Sequence, residues 1–138
     1  MILIEPGLDI VVVDDNAADL LITEIVLKRS HLTNPVALLD SGEGAVAYLG
    51  PMAARGGPPP ALVMIDVNMY GMTGFDVLRF IRRQEAFQEL PVVAILTSSD
   101  AESDKQSSME LGANAFLAKK SGVAAFVEMI NANFKNRE

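Results

Sequence analysis

The chain of 138 residues contains no cysteine. Disulfide staples, thiolate catalysis and cysteine-based zinc or iron–sulfur sites are therefore excluded. That absence fits the cytoplasm, which is the location expected. Histidine is nearly absent too: His31 is the single copy. It lies near the end of the first helical segment with no helix-bundle context for phosphotransfer, and reads as a solvated or capping residue. Long apolar runs are missing. The longest, such as Ala61–Ile65 and Val92–Leu96, are far too short to span a bilayer. Met1–Leu8 lacks the basic start and long apolar stretch of a leader. No membrane partner is expected. Basic clusters are missing as well. Eleven Lys and Arg face eighteen Asp and Glu, a net charge of −7. Such a field repels phosphate backbones, so no nucleic-acid partner is expected.

Half of the residues are apolar, which is ample for one buried core in one domain. Five short apolar runs recur: Ile10–Val13, Val36–Leu39, Ala61–Ile65, Val92–Leu96 and Ala115–Leu117. Their length and Val/Ile content predict strands. The intervening segments have helical spacing. Ala18, Leu21, Ile22 and Ile25 share one face; Val77, Leu78 and Ile81 share another; Val123, Phe126, Val127 and Ile130 form a stripe that Phe134 extends. Asn16, Ser41 and Ser121 stand where helices should start, Ser99 and Glu102 have capping-box spacing, and Gly112 reads as a helix stop. Gly50–Pro60, rich in Gly and Pro, is expected to be a loop acting as a spacer. Strand–helix alternation repeated five times implies a parallel, doubly wound sheet with helices on both faces.

In open parallel sheets, ligands bind beyond the carboxyl ends of the strands. Asp14 and Asp15 follow the first strand, Asp66 and then Asn68 the third, Thr97–Ser99 the fourth, and Lys119–Lys120 the fifth. These groups should converge on one rim. Crowded carboxylates repel one another unless a cation sits among them. Oxygen ligands without imidazole or thiolate favour Mg²⁺. Thr97 and Lys119 suit the oxygens of a phosphoryl group, and one carboxylate could act as the nucleophile of aspartyl-phosphate chemistry. Each element has an ordinary role besides: Asp14–Asp15 could cap a helix, Asp66 could belong to a turn, Thr97–Ser99 could be loop and cap, and Lys119 could be a solvated charge. The joint placement favours the site.

The motifs VVVDDN at Val11–Asn16, MIDVNMYGMTGFDVL at Met64–Leu78, ILTSSD at Ile95–Asp100 and LGANAFLAKK at Leu111–Lys120 resemble the receiver domains of two-component response regulators. The resemblance covers about residues 9–133 and implies a single receiver domain over 1–138 with a flavodoxin-like (βα)5 fold. It implies that Asp66 is the phosphoacceptor. Asp14, Asp15, Asp66 and the backbone carbonyl of Asn68 would hold Mg²⁺, with Asp14 acting largely through water. Thr97 and Lys119 would bind the phosphoryl group, Phe116 would be the aromatic switch, and Asn68 and Ser99 would tune hydrolysis. The chain would not be an enzyme acting on external substrates but a phosphoacceptor that catalyses its own phosphotransfer and dephosphorylation.

Two positions depart from the family pattern. Tyr70 and Lys120 stand where proline is usual, which leaves the Lys119–Lys120 bond open between cis and trans and puts the reach of Lys119 in question. The LTSSDAESD wording and the long loop before the third strand resemble single-domain receivers that serve phytochrome-type sensor kinases. The implied partners are such a histidine kinase, an unidentified downstream protein, and a second copy meeting the face of the fourth helix, fifth strand and fifth helix. No DNA-binding output domain is expected. Rival readings are a receiver-like interaction module that is not phosphorylated, an Asp-nucleophile phosphatase, and a flavin binder. Asn68 fills the place where such a phosphatase has its second Asp, and the acidic Asp14–Asp19 loop would repel a flavin phosphate.

Overall fold

The computed structural model describes residues 1–96 and 101–138, save the side chain of residue 101. The elements run β1 (Ile2–Ile4), β2 (Ile10–Val13), α1 (Ala17–Arg29), β3 (Val36–Leu39), α2 (Gly42–Ala54), β4 (Leu62–Asp66), α3 (Gly74–Arg83), β5 (Val92–Leu96), α4 (Ala101–Glu110), β6 (Ala115–Ala118), α5 (Val123–Asn133) and β7 (Phe134–Asn136). Five strands form one parallel sheet, as the strand–helix rhythm predicts, and their order is β3-β2-β4-β5-β6. The order reverses at β2, so the carboxyl ends of β2 and β4 flank the crevice where this architecture binds ligands.

Side chains alternate across a strand, and here the alternation builds two cores. Val11, Val13, Val63, Ile65, Val92, Ala94 and Leu96 face the layer that holds Leu49 of α2 and Val77, Leu78 and Ile81 of α3. Ile10, Val12, Leu62, Met64, Val93 and Ile95 face the layer that holds Leu20, Val26 and Leu27 of α1 and Phe126 and Ile130 of α5. Burial on both faces explains why β2, β4 and β5 read as continuous apolar runs.

Several helix details correct the sequence reading. The buried residues of α1 are Leu20, Thr23, Val26 and Leu27, whereas Leu21, Ile22 and Ile25 are 56%, 41% and 47% exposed. The helix is apolar nearly all round, so the stripe seen in the sequence was the outer one. Gly50–Ala54 are not loop but the last turn of α2, which carries Pro51 within it; only the stretch after Arg55 is irregular. Gly122, not Ser121, starts α5, because Lys119–Ser121 form a short 3-10 turn. Phe134 does not extend α5. The helix ends at Asn133, and Phe134 opens β7, which pairs in parallel with β1. That two-stranded sheet had no counterpart in the sequence reading. Asn16 and Ser41 do cap α1 and α2, accepting from the N–H of Asp19 and Gly44. Gly112, with φ of +103°, follows α4 as expected.

One glycine bears directly on the rim. A Cβ at Gly74 would lie 2.3 Å from the Asp66 carbonyl oxygen and 2.6 Å from Val67 Cα. Only a residue without a side chain lets α3 begin this close to the end of β4. Gly74→Ala is therefore expected to destabilise the chain by about 1–3 kcal/mol, as overpacking against backbone does. Denaturant unfolding checks this, and an unchanged midpoint would mean that the α3 start yields freely.

Candidate functional site

Each strand end delivers its polar residue because the strand stops where its apolar run stops. Asp14 leaves β2 and is fully buried, with 0% exposure. Its Oδ1 accepts from the Asn16 N–H at 3.0 Å. Asp66, the last residue of β4, is 2% exposed. Its Oδ1 accepts from the Asn68 N–H at 2.9 Å. Asp15 is exposed, and its Oδ2 accepts from the Tyr70 N–H at 2.8 Å. Oxygens of Asp14, Asp15 and Asp66 lie within 4.8 Å of one another.

The cation of this cluster is Lys119. Its Nζ donates to Asp66 Oδ2 at 2.9 Å and to Asp19 Oδ2 at 2.7 Å, and sits 2.7 Å from Asp14 Oδ2. The Lys119–Lys120 peptide is trans, since the one cis bond among the described residues is Gly57–Pro58. Lysine in place of proline therefore leaves the reach of Lys119 intact. The other departure has a positive effect: Tyr70 has a backbone N–H to give Asp15, which proline would not. The Tyr70 side chain is 94% exposed.

The electrostatics follow from the burial. Burial pushes the Asp66 carboxyl up to about 6, against the lowering influence of Lys119 and the Asn68 N–H, and the Asp14 charge adds to the rise. Burial alone would lower the Lys119 ammonium, but its bonds to Asp14, Asp19 and Asp66 outweigh this and hold it above the usual lysine range.

The donor set fits Mg²⁺. It consists of hard carboxylate oxygens, and Asp14 Oδ2 is buried with no aligned hydrogen bond, its ion-pair contact with Lys119 apart. Such an oxygen has a lone pair to give a metal. Asn68 is on the same turn, exposed, its side-chain amide donating to Asp104 of α4 at 3.3 Å.

Among the other residues singled out in the sequence, Phe116 is 37% exposed on β6, with Lys105 Nζ 4.6 Å from its ring centroid. Thr97 and Ser99, and the capping box that Ser99 would form, lie outside the described residues. His31 is exposed beyond the end of α1, its N–H donating to Asn131 Oδ1 at 2.9 Å, away from the rim. Asp19 is the site residue that sequence reasoning missed. Its place one turn into α1, four residues after Asp15, was the available signal.

The chain matches the response regulator receiver domain family over residues 10–131. It is 31% identical over 122 residues to the response regulator Rcp1 of Synechocystis sp., covering 88% of this chain and 82% of that protein. Among solved structures, it superposes on the bacteriophytochrome response regulator RtBRR with a TM-score of 0.75 and 35% identity, over 90% of this chain and 76% of that one. The Mn²⁺-bound form of Rcp1 gives a TM-score of 0.75 at 29% identity, over 91% of each chain. Sheet order, rim carboxylates and strand-end lysine thus agree with the family match along almost the whole sequence, and the chain belongs to the response regulator receiver domains.

Proposed function

We propose that this chain accepts a phosphoryl group on Asp66 from a sensor histidine kinase, in a Mg²⁺-dependent step, and passes the signal on through the face formed by α4, β6 and α5. The observation that carries this reading is Asp66 itself: a buried carboxylate at a strand end, bonded to a lysine and crowded by two further carboxylates. In the transfer, an Asp66 oxygen attacks phosphorus and the bond from phosphorus to the histidine nitrogen breaks. The electron pair stays on that nitrogen. Asp66 offers a carboxylate oxygen as the nucleophile, held at the strand end by its bonds to Lys119 and the Asn68 N–H. Lys119 already lies beside the attacking group and would balance charge on the phosphoryl oxygens. Asp14, Asp15, Asp66 and the Asn68 carbonyl would hold Mg²⁺, which neutralises charge on the incoming group.

The reading includes hydrolysis of the acyl phosphate by water, at a rate that Asn68 and Ser99 would tune. Phe116 would turn inward with Thr97 after phosphorylation, and the altered face would meet a downstream protein or a second copy of the chain. A phytochrome-type kinase is the proposed donor. The similarity to the bacteriophytochrome response regulator RtBRR supports that choice. The location proposed is the cytoplasm. No helix among the described residues is long and apolar enough to cross a membrane.

Incubation with acetyl phosphate tests the reading. Mass spectrometry should find one added phosphoryl group with Mg²⁺ present and none with a chelator. Equal labelling in both conditions would exclude the metal, and no labelling in either would leave only an interaction module.

A further inference from the structure

Among the described residues Lys119 has three carboxylate partners, and they are not equivalent. Asp14 and Asp66 belong to the trio whose oxygens converge, whereas Asp19 does not. Asp19 stands on the first turn of α1, fixed there by its own N–H, which donates to the Asn16 cap. Its oxygen reaches Lys119 from the helix side at 2.7 Å. Two of the ammonium's three N–H donors go to Asp19 and Asp66, while Asp14 meets it as an ion-pair contact.

We propose that Asp19 is a positioning residue for Lys119. It anchors the ammonium beside Asp66 and so lets Asp14 and Asp66 turn their oxygens to a divalent cation. The proposal rests on the phosphoacceptor reading above. An ammonium and a divalent cation compete for the same carboxylate lone pairs. With Asp19 in place, Lys119 keeps a partner when the metal enters. Without Asp19, the remaining carboxylate partners of Lys119 among the described residues are both metal ligands, and it holds them against the metal. Lys119 and Asp19 are 21% and 32% exposed at their side chains, so solvent screens the pair only in part.

Losing Asp19 also removes one negative charge from the neighbourhood of the metal. That effect needs no Lys119, which makes the two separable. Mg²⁺ affinity is measured by NMR titration on the wild-type chain, Asp19→Asn, Lys119→Met and the double variant, with denaturant unfolding to verify that each folds. Asp19→Asn is expected to weaken Mg²⁺ binding by about threefold or more, the scale of a partly exposed ion pair. Uptake of phosphoryl from acetyl phosphate at saturating Mg²⁺ should slow in the same variant, and Asp19→Glu should restore both. In the Lys119→Met background, Asp19→Asn should lose most of its effect on affinity. Equal effects in both backgrounds would reduce Asp19 to a bystander charge and overturn the proposal. So would wild-type affinity in Asp19→Asn. A wild-type chain that binds Mg²⁺ but takes no label would instead sink the phosphoacceptor reading, while the affinity cycle would still judge Asp19.

Discussion

Asp66→Asn is expected to take up no phosphoryl label and, in metal-free solution at neutral pH, to be more stable than the wild-type chain. The first half follows from chemistry, since an amide oxygen is no nucleophile for phosphorus under these conditions. The second follows from linkage. The folded Asp66 carboxyl sits at about 6, above the unfolded value. Its protonated form is the one that the fold favours. Stability from this group is fully present below about pH 4 and is lost as pH rises through about 6. Above that window the ionised carboxylate costs of order 2–3 kcal/mol. Asn removes the charge at nearly the same volume, and Lys119 retains Asp14 and Asp19. Urea unfolding in chelator at about pH 4 and about pH 7 gives the measurement. The stability difference between variant and wild type should grow with pH and then level off. A variant that is the less stable one near pH 7 would show that the carboxylate is held without penalty.

Lys119→Met should do the opposite. The substitution keeps length and apolar bulk but strips the cation from carboxylates that are 0% and 3% exposed at the side chain. Removing one partner of a buried ion pair costs about 3–5 kcal/mol, because the other charge is left in a poorly polarisable setting. The Lys119 ammonium is held above its unfolded value, so its contribution is fully present below the unfolded lysine value near 10.4 and fades only at higher pH. Neutral pH lies wholly inside the stabilised window. Unfolding in chelator should show the loss, and added Mg²⁺ should return most of it by supplying another cation. Combining Lys119→Met with Asp66→Asn should also recover part of the loss. If the single variant loses less than about 1 kcal/mol, solvent and not the lysine is compensating the rim.

The sheet and its rim were legible in the sequence for a physical reason. Strands buried on both faces must be apolar throughout, so the ends of β2 and β4 are marked by the first charged residue, Asp14 after Val13 and Asp66 after Ile65; the apolar run of the partly exposed edge strand β6 likewise stops at Lys119. The same residues are the site. Helix faces were less legible. In α1 the outward Leu21, Ile22 and Ile25 are as apolar as the inward Leu20, Val26 and Leu27, and only packing against Ile10 and Val12 distinguishes them. Pro51 misled because it is tolerated near the end of α2, where a single missing N–H breaks one bond at most. Asp19 was obscure because a carboxylate in the first turn of a helix already has an ordinary reason to be there. β1 and β7 are three-residue strands at distant points of the chain, a pairing that no local pattern announces.

That last pairing bears on the order in which the molecule is expected to fold. Ile2 lies opposite Phe134 and Ile4 opposite Asn136, and the Arg137 N–H closes on the Ile4 carbonyl at 2.8 Å. Joining points so far apart along a free coil carries an entropy penalty that grows with the logarithm of the loop. Once the main sheet and its helices have formed, that loop is no longer free coil and most of the penalty has already been met. On that ground the small sheet is expected to form after the main one. It sets Phe134 and Ile4, 1% and 2% exposed, over the α1–α5 layer as a final seal.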